Sequence, residues 1–337
     1  MKALSLSGPG ETSFVEVAEP KPAEGEVLLK VRYVGMCGTD LSSFRGKNPL
    51  VTYPRIPGHE ISATVVESHS ADARLHVGMN VTLSPYKSCG VCAACRRGRN
   101  NACKNNQTMG VQRDGAFTEL ISVPAEKIYP SALSLKEMCL VEPLTIGEHA
   151  TARGRVQASD VVAVFGCGGV GLGAIAAAAF RGATVIAIDM DDDKIAVAKK
   201  AGAAHGLNTA KEDLHARLAE LTNGFGPDVV IEAIGLPQTF QAAVEVVAFT
   251  GRVVYIGYAK EPVSYETRLF VQKELDIMGS RNALPQDFAN VIRMLEAKRF
   301  PVEEAISLVV PLQEAGNALK AWSENPGKYL KIMVEMS

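Results

Sequence analysis

The sequence predicts an α/β protein in which a doubly wound parallel-sheet domain is inserted into a β-rich domain built from both chain ends. Three observations predict it. Over residues 1–147, short alternating strands are punctuated by Gly and Pro. Over residues 148–281, wholly apolar strands alternate with helices. Over residues 282–337, the mixed pattern returns. At 337 residues the chain is long enough for about two domains.

In the first part, Glu26-Val-Leu-Leu-Lys-Val-Arg32, Ile61-Ser-Ala-Thr-Val-Val66 and Asn80-Val-Thr-Leu83 read as strands of a barrel-like sheet. In the second, Val161–Phe165, Ala183–Ile188, Asp228–Ala233, Gly251–Ile256 and Leu275–Met278 are strands apolar along their length. Helices 193–201 and 238–249 fall between them. Such strands belong to a parallel sheet covered on both faces. Near the end, strand 307–310, helix 313–322 and strand 329–335 complete the pattern.

Composition narrows the function classes. Hydrophobic residues make up 47% and charged residues 21%, ordinary values for a chain with sizeable cores. A net charge of −2 gives no electrostatic case for nucleic acid or an anionic membrane. The most apolar stretch, 161–180, is broken by five glycines, which argues against a membrane span. The first residues lack an apolar export core, so a cytoplasmic location is expected.

Gly166-Cys-Gly168-Gly169-Val170-Gly171 follows a predicted strand and opens a helix, the context a dinucleotide fingerprint requires. Free N–H groups and the positive dipole end at the helix start suit a pyrophosphate. The next strand leads to Asp189, which suits a ribose diol and repels a 2′-phosphate. Asp191, Asp192 and Asp193 add like charge. NAD is therefore expected over NADP.

Four of the seven cysteines, Cys89, Cys92, Cys95 and Cys103, crowd one Gly-containing loop. In a reducing compartment such clustering reads as metal ligation, and four thiolates suit a closed, structural zinc site. An iron–sulfur cluster is the lesser alternative. Cys37 in Gly35-Met-Cys37-Gly38-Thr39-Asp40, His59 and Glu60 in Gly58-His59-Glu60, and Glu142 in Glu142-Pro143-Leu144 offer thiolate, imidazole and carboxylate donors. Three such ligands leave one zinc position open for catalysis.

These motifs, in this order, resemble the zinc-dependent medium-chain dehydrogenase/reductase family. Glu142-Pro143-Leu144 is similar to the polyol and threonine dehydrogenase branch. Tyr53-Pro-Arg-Ile-Pro-Gly-His59 and Met278-Gly-Ser-Arg-Asn282 are similar to enzymes that oxidise L-galactonate or L-gulonate at C5. The resemblance implies a GroES-like catalytic domain, a Rossmann domain, an active site in the cleft and a homodimer or homotetramer. It also implies two zinc ions per chain. Cys37 and His59 bind the catalytic one, and Glu60 or Glu142 supplies the third position. Zinc acidifies a substrate hydroxyl, and hydride passes to the nicotinamide. Thr39 is the expected first member of the proton relay. Relatives that carry His two residues after the motif Asp differ here, where Ser42 stands.

Arg281 and Asn282 are candidate substrate contacts, Arg281 for a carboxylate, with a structural ion pair as the alternative. Arg113 and Glu119 carry the same ambiguity. His149 fits a position near the cofactor or a structural role. His69, His76, His205 and His215 read as surface or loop residues, and Cys139 and Cys167 as packing residues. The expected substrate is a polyol, sugar or sugar acid, with a hexonate as first choice and an alditol or L-threonine as alternatives. A metal-free reductase of the same fold would scatter Cys37, His59 and Glu142. A non-catalytic NAD-binding zinc protein would oxidise no alcohol.

Overall fold

The computed structural model describes residues 1–336. The chain divides into two compact units. The first runs from Met1 to Glu142 and resumes at Val302; the second is Pro143–Pro301. The sequence reading put the joints at 147/148 and 281/282. The observed division falls inside helix α3 (Leu135–Arg153), at Pro143. Proline has no N–H to donate back along the helix, so the ladder is interrupted there. Helix α9 (Pro285–Glu296) packs on α4 (Gly169–Phe180), which carries the second unit past 282.

In the first unit, β1 (Lys2–Gly8) and β2 (Glu11–Glu16) form a hairpin. A seven-stranded sheet is ordered β16 (Leu308–Pro311), β17 (Ile332–Glu335), β3 (Glu26–Met36), β4 (Glu60–Ser68), β5 (Asn80–Leu83), β9 (Ile128–Pro130), with β8 (Leu120–Pro124) also on β3. Alternation along β3 sends Val27, Leu29 and Val31 into the core, where they meet Leu4, Leu6, Ile61, Leu83 and Phe117. Each such side chain contributes about 1.5–3 kcal/mol on burial. Two register shifts between β3 and β4 bend the long strand. Antiparallel β17–β3 pairing returns the C-terminal stretch to this core.

The second unit holds six parallel strands, β10 (Val161–Phe165), β11 (Thr184–Asp189), β12 (His205–Asn208), β13 (Val229–Glu232), β14 (Arg252–Tyr255) and β15 (Asp276–Gly279). Their order is β12-β11-β10-β13-β14-β15, the dinucleotide-binding arrangement. Val162, Ala163, Val164, Val229, Val230 and Ile231 are all fully buried, so both sheet faces are covered. Helix α5 (Asp192–Lys200) packs on β11 and β12, and α7 (Pro237–Val246) on β13 and β14. His205, expected on the surface or in a loop, lies in β12 and is half-buried. That strand is only four residues long and begins His-Gly, so no apolar run announces it. Among the described residues no helix is long and apolar enough to cross a membrane.

Candidate metal centres and nucleotide site

The four-cysteine segment is a loop clamped at its base by pairing of β6 (Tyr86–Lys87) with β7 (Gln107–Thr108). Inside it, the short helix α2 (Ala93–Arg96) carries Cys95. The loop has little apolar core: Cys103 is buried, but Val91 is exposed. The cysteines are free thiols. Their sulfurs lie within 4.8 Å of one another, at 3.5 Å for Cys92–Cys95, 3.5 Å for Cys103–Cys89 and 3.9 Å for Cys92–Cys103. A tetrahedron of Zn–S bonds has an edge of about 3.8 Å, so the cage fits one zinc ion and is too small for a multi-iron cluster. Backbone N–H groups of Cys95 and Lys104 pull the Cys92 thiol down to about 6, which favours the thiolate a metal needs.

The second centre is assembled from separate elements. Cys37 follows β3 and caps helix α1 (Gly38–Phe44); its N–H donates to Asp40 Oδ2 at 2.9 Å. Register in the β3–β4 pair sets Gly35 opposite Glu60. A Cβ at position 35 would collide with the Glu60 carboxylate, so glycine is required there. One Cys37 sulfur, one His59 ring nitrogen and one Glu60 oxygen fall within 4.8 Å of one another. Thiolate, imidazole and carboxylate at that spacing fit a zinc site.

Charge around the cluster supports the fit. His59 is buried, which disfavours its charged form, yet Cys37 and Asp40 outweigh this and hold its pKa well above the usual histidine value. The pocket is therefore short of positive charge. His59 Nδ1 stands 3.8 Å from Asp40 Oδ1, and both buried atoms lack a hydrogen-bond partner. A small approach completes the carboxylate–imidazole contact that orients a metal-binding histidine. Asp40 thus faces His59 besides ordering the Cys37 turn.

Two neighbours restrain the carboxylates. Lys331, just before β17, donates to Glu60 Oε1 at 2.7 Å, to Glu60 Oε2 at 2.6 Å and to the Met36 carbonyl at 3.2 Å. Glu60 is 1% exposed and Lys331 8%, so this is a buried ion pair with its donors satisfied. Glu142 lies on α3, where the buried Tyr86 hydroxyl donates to it. Burial, with help from Glu60, raises Glu142 to about 7 against the opposing influence of His59, Tyr86 and Lys331. Thr39 and Ser42 sit on α1 beyond Cys37, both half-buried.

In the second unit, β10 turns through Gly166 into α4, with Gly168 at its N-cap and Gly169, Val170 and Gly171 in its first turn. Gly166 has φ +97°, a conformation L side chains avoid. A Cβ on Gly171 would strike the Gly166 carbonyl. Asp189 ends β11 and accepts from Cys167 N–H at 2.7 Å, Met190 N–H at 2.8 Å and Asp191 N–H at 3.2 Å. Its carboxylate is thereby fixed against the glycine turn. Asp191 caps α5 and Asp192 pairs with Lys211, so these acids also have local structural tasks. Arg281 and Asn282 follow β15 after Ser280; Arg281 is exposed. His149 bonds Asp287 at 2.8 Å in a buried pair, and Cys139 and Cys167 are fully buried.

Comparison with known proteins agrees with this architecture. Residues 23–133 match the alcohol dehydrogenase GroES-like domain and residues 169–297 the zinc-binding dehydrogenase family. An uncharacterised zinc-type alcohol dehydrogenase-like protein of Haemophilus influenzae is 35% identical over 98% of both chains. The chain belongs to the zinc-type alcohol dehydrogenase family. L-Galactonate-5-dehydrogenase of Escherichia coli is 34% identical over 88% of this chain and 87% of its own. D-Arabitol-phosphate dehydrogenase of Enterococcus avium is 31% identical over 99% and 97%. A crystal structure of an alcohol dehydrogenase from E. coli CFT073 with NADH matches at a TM-score of 0.91 and 29% identity, covering 99% of both chains. A zinc-binding dehydrogenase of Sinorhizobium meliloti bound to NADP matches at 0.91 and 30%, covering 99% and 98%.

As a zinc-type alcohol dehydrogenase, the chain is an oxidoreductase that uses zinc and a nicotinamide cofactor. The sequence reading missed Lys331 and Tyr86. For Lys331 the only signal is the register Ile332↔Met36, which no local pattern carries. Tyr86 precedes Cys89 by three residues, but nothing local ties it to Glu142.

Proposed function

We propose that the protein oxidises a secondary hydroxyl of a polyol, sugar or sugar acid with NAD, a hexonate such as L-galactonate or L-gulonate being the first choice. The observation that carries the reading is the convergence of Cys37, His59 and Glu60 donors within 4.8 Å. The likeness to L-galactonate and arabitol-phosphate dehydrogenases supports the substrate class.

Two zinc ions per chain are proposed, one held by Cys89, Cys92, Cys95 and Cys103. The other is held by Cys37, His59 and a carboxylate of Glu60 or Glu142. Bound zinc supplies Lewis acidity toward the substrate hydroxyl, and the nicotinamide accepts the hydride. Asp40 orients the His59 ring, Lys331 fixes the Glu60 carboxylate, and Tyr86 fixes that of Glu142. Thr39 takes the substrate proton and Ser42 passes it on, since a hydroxyl both accepts and donates. In the second unit, the N–H groups at the start of α4 hold the pyrophosphate, with Gly166, Gly168, Gly169, Val170 and Gly171 shaping the turn that brings it close; the Gly166 N–H itself donates to the Ile188 carbonyl at 2.8 Å. Asp189 accepts from the ribose diol and disfavours a 2′-phosphate. Arg281 and Asn282 are proposed substrate contacts.

We also propose a homodimer or homotetramer. Edge strand β15 leaves Ile277 40% exposed, an uncovered apolar edge, and native mass measurement tests the assembly. The function is tested with zinc-loaded protein against hexonates, alditols, aldoses and L-threonine, following NADH and NADPH formation separately. Turnover of a polyol with NAD is the expected result. Tight NADH binding with no alcohol oxidised would sink the reading in favour of a non-catalytic role. Asp189→Ser is expected to shrink the NAD over NADP preference about tenfold or more, the loss of one charge-assisted hydrogen bond.

A further inference from the structure

Arg113 lies in the first unit and has no counter-ion among the described residues. Its turn is closed by Gly110 N–H donating to the Arg113 carbonyl at 2.8 Å. The residues after it bond to the strip leading to His59: Gly115 N–H to Ile56 O at 2.8 Å, Ala116 N–H to Gly58 O at 3.0 Å and Phe117 N–H to Pro57 O at 3.1 Å. The guanidinium points another way into the same region. Arg113 Nη2 donates to the Pro85 carbonyl at 3.1 Å, one residue before the tyrosine that holds Glu142. Two separate chain connections therefore tie Arg113 to the surroundings of the metal donors.

One nitrogen of the half-buried guanidinium is left unmatched. Arg113 Nε is buried with no hydrogen-bond partner. The adjacent carboxylate, Asp114, is committed to Arg55 at 2.8 Å and to Ile56 N–H at 3.2 Å. Burial pushes the Arg113 pKa down, with no acid beside it to oppose the shift. An arginine does not escape this cost by losing its proton. Charges withdrawn from water are ordinarily paired, and a planar fork matches a carboxylate or phosphate.

We propose that Arg113 is an anion subsite of the same centre, gripping the carboxylate or phosphate of a polyol whose hydroxyl is presented to the Cys37–His59–Glu60 cluster. This rests on the polyol oxidation proposed above. It names the charged end of the substrate as a determinant of specificity and assigns it to a residue of the metal-binding unit. Sugar acids and polyol phosphates share the chemistry Arg113 would recognise.

The test compares zinc-loaded wild type, Arg113→Gln, Arg113→Lys and Arg281→Ala on three substrate sets: hexonates, alditol phosphates and the matching neutral alditols. The expected result is a kcat/KM ratio favouring an anionic set, expressed mainly in KM, that falls about a hundredfold in Arg113→Gln. Arg113→Lys keeps the charge without the fork and recovers part of the ratio. A preference for hexonates identifies a carboxylate ligand, and one for alditol phosphates a phosphate ligand. Neutral alditols oxidised as well as the anionic sets, with an unchanged ratio in Arg113→Gln, would overturn the subsite and leave polyol oxidation standing. Loss of the ratio in Arg281→Ala but not Arg113→Gln, or a defect confined to NADH affinity, would overturn it too.

Binding supplies a second readout that does not depend on turnover. Gluconate or inorganic phosphate should raise the melting temperature of the holoenzyme saturably, and the rise should vanish in Arg113→Gln and return in part in Arg113→Lys. If no polyol is oxidised but this saturable shift behaves as stated, the function reading fails and the anion subsite survives. Equal shifts in wild type and Arg113→Gln would overturn the subsite.

Discussion

The two donor clusters of the first unit are built on opposite principles. Cys89, Cys92, Cys95 and Cys103 come from one loop with almost no apolar core, and their geometry depends on residues next to them in sequence. Cys37, His59 and Glu60 come from two strands and the turns beside them, are backed by Lys331 from near the C-terminus, and sit against buried sheet residues. The first cluster lets a metal do what a core would do. The second is positioned by a core that exists without it. Removing the metal should therefore cost structure in one case and chemistry in the other.

The largest expected effect separates them directly. Cys37→Ser should keep its fold and its four-cysteine zinc and lose oxidation by about three orders of magnitude, the several kcal/mol a Lewis acid contributes. Cys103→Ser should lose the other zinc and open the 88–106 loop to protease. Zinc contributes on the order of 10 kcal/mol to such loops in isolation. Metal content, melting temperature and limited proteolysis read the two outcomes. A lower melting temperature for Cys37→Ser than for Cys103→Ser would break the comparison.

Next comes the buried pair behind the second cluster. Lys331→Met strands the Glu60 carboxylate and should destabilise by about 3–5 kcal/mol in urea unfolding. Adding Glu60→Gln should recover much of that, since the stranded charge is then gone. If the double variant is no more stable than Lys331→Met, the pair is not the source of the cost.

The same contrast explains what could be read from the sequence. The four-cysteine site was legible because its ligands are neighbours in sequence and share one loop. The fingerprint Gly166–Gly171 and Asp189 were legible because strand, turn and helix follow one another, so order along the chain mirrors order in space. Cys37, His59, Glu60 and Glu142 were legible as a set of suitable donor types, but only family likeness joined them into one site. Sequence left open which carboxylate joins the first two, because that depends on the β3–β4 register and on which cation holds each acid. Lys331 and Tyr86 were invisible for that reason. Arg113 was visible as a residue, but its lack of a counter-ion depends on Arg55 having taken Asp114.

A smaller effect sharpens the division of labour between the two carboxylates. Tyr86→Phe removes the hydroxyl that holds Glu142, worth about 1.5–3 kcal/mol for a charged hydrogen bond. With cobalt substituted at the Cys37 centre, its visible absorption bands should shift if the freed Glu142 moves toward or away from the metal. With cobalt placed instead in the four-cysteine site, the bands should be the same in Tyr86→Phe and wild type. An unchanged Cys37-centre spectrum would remove Glu142 from the metal's surroundings.

The smallest expected effect is a slope against pH in metal-free protein. Folded Glu142 keeps its proton to about 7, chiefly through burial, against 4.5 for the unstructured group. Between those values unfolding releases a proton, so Glu142 makes stability fall as pH rises, by at most about 1.4 kcal/mol per pH unit. His59 has the same sign. Burial lowers its pKa, Cys37 and Asp40 overcome this, and the folded value stands well above 6.5. Stability from His59 is present below 6.5 and lost as pH climbs through the raised value. In the four-cysteine loop, Cys92 falls to about 6 through backbone N–H groups and adds stability as pH rises from about 6 toward 9, while Cys95 rises to about 11, mainly through burial, and removes stability only above about 9. Urea unfolding of chelator-treated protein should therefore show stability declining between about pH 5 and about pH 6, below the window in which Cys92 opposes it. Restoring zinc should flatten the decline, because a bound dication displaces the retained protons. A metal-free protein that gains stability over that interval would mean that the second cluster does not hold its protons, and that its donors are not gathered tightly enough to need a cation.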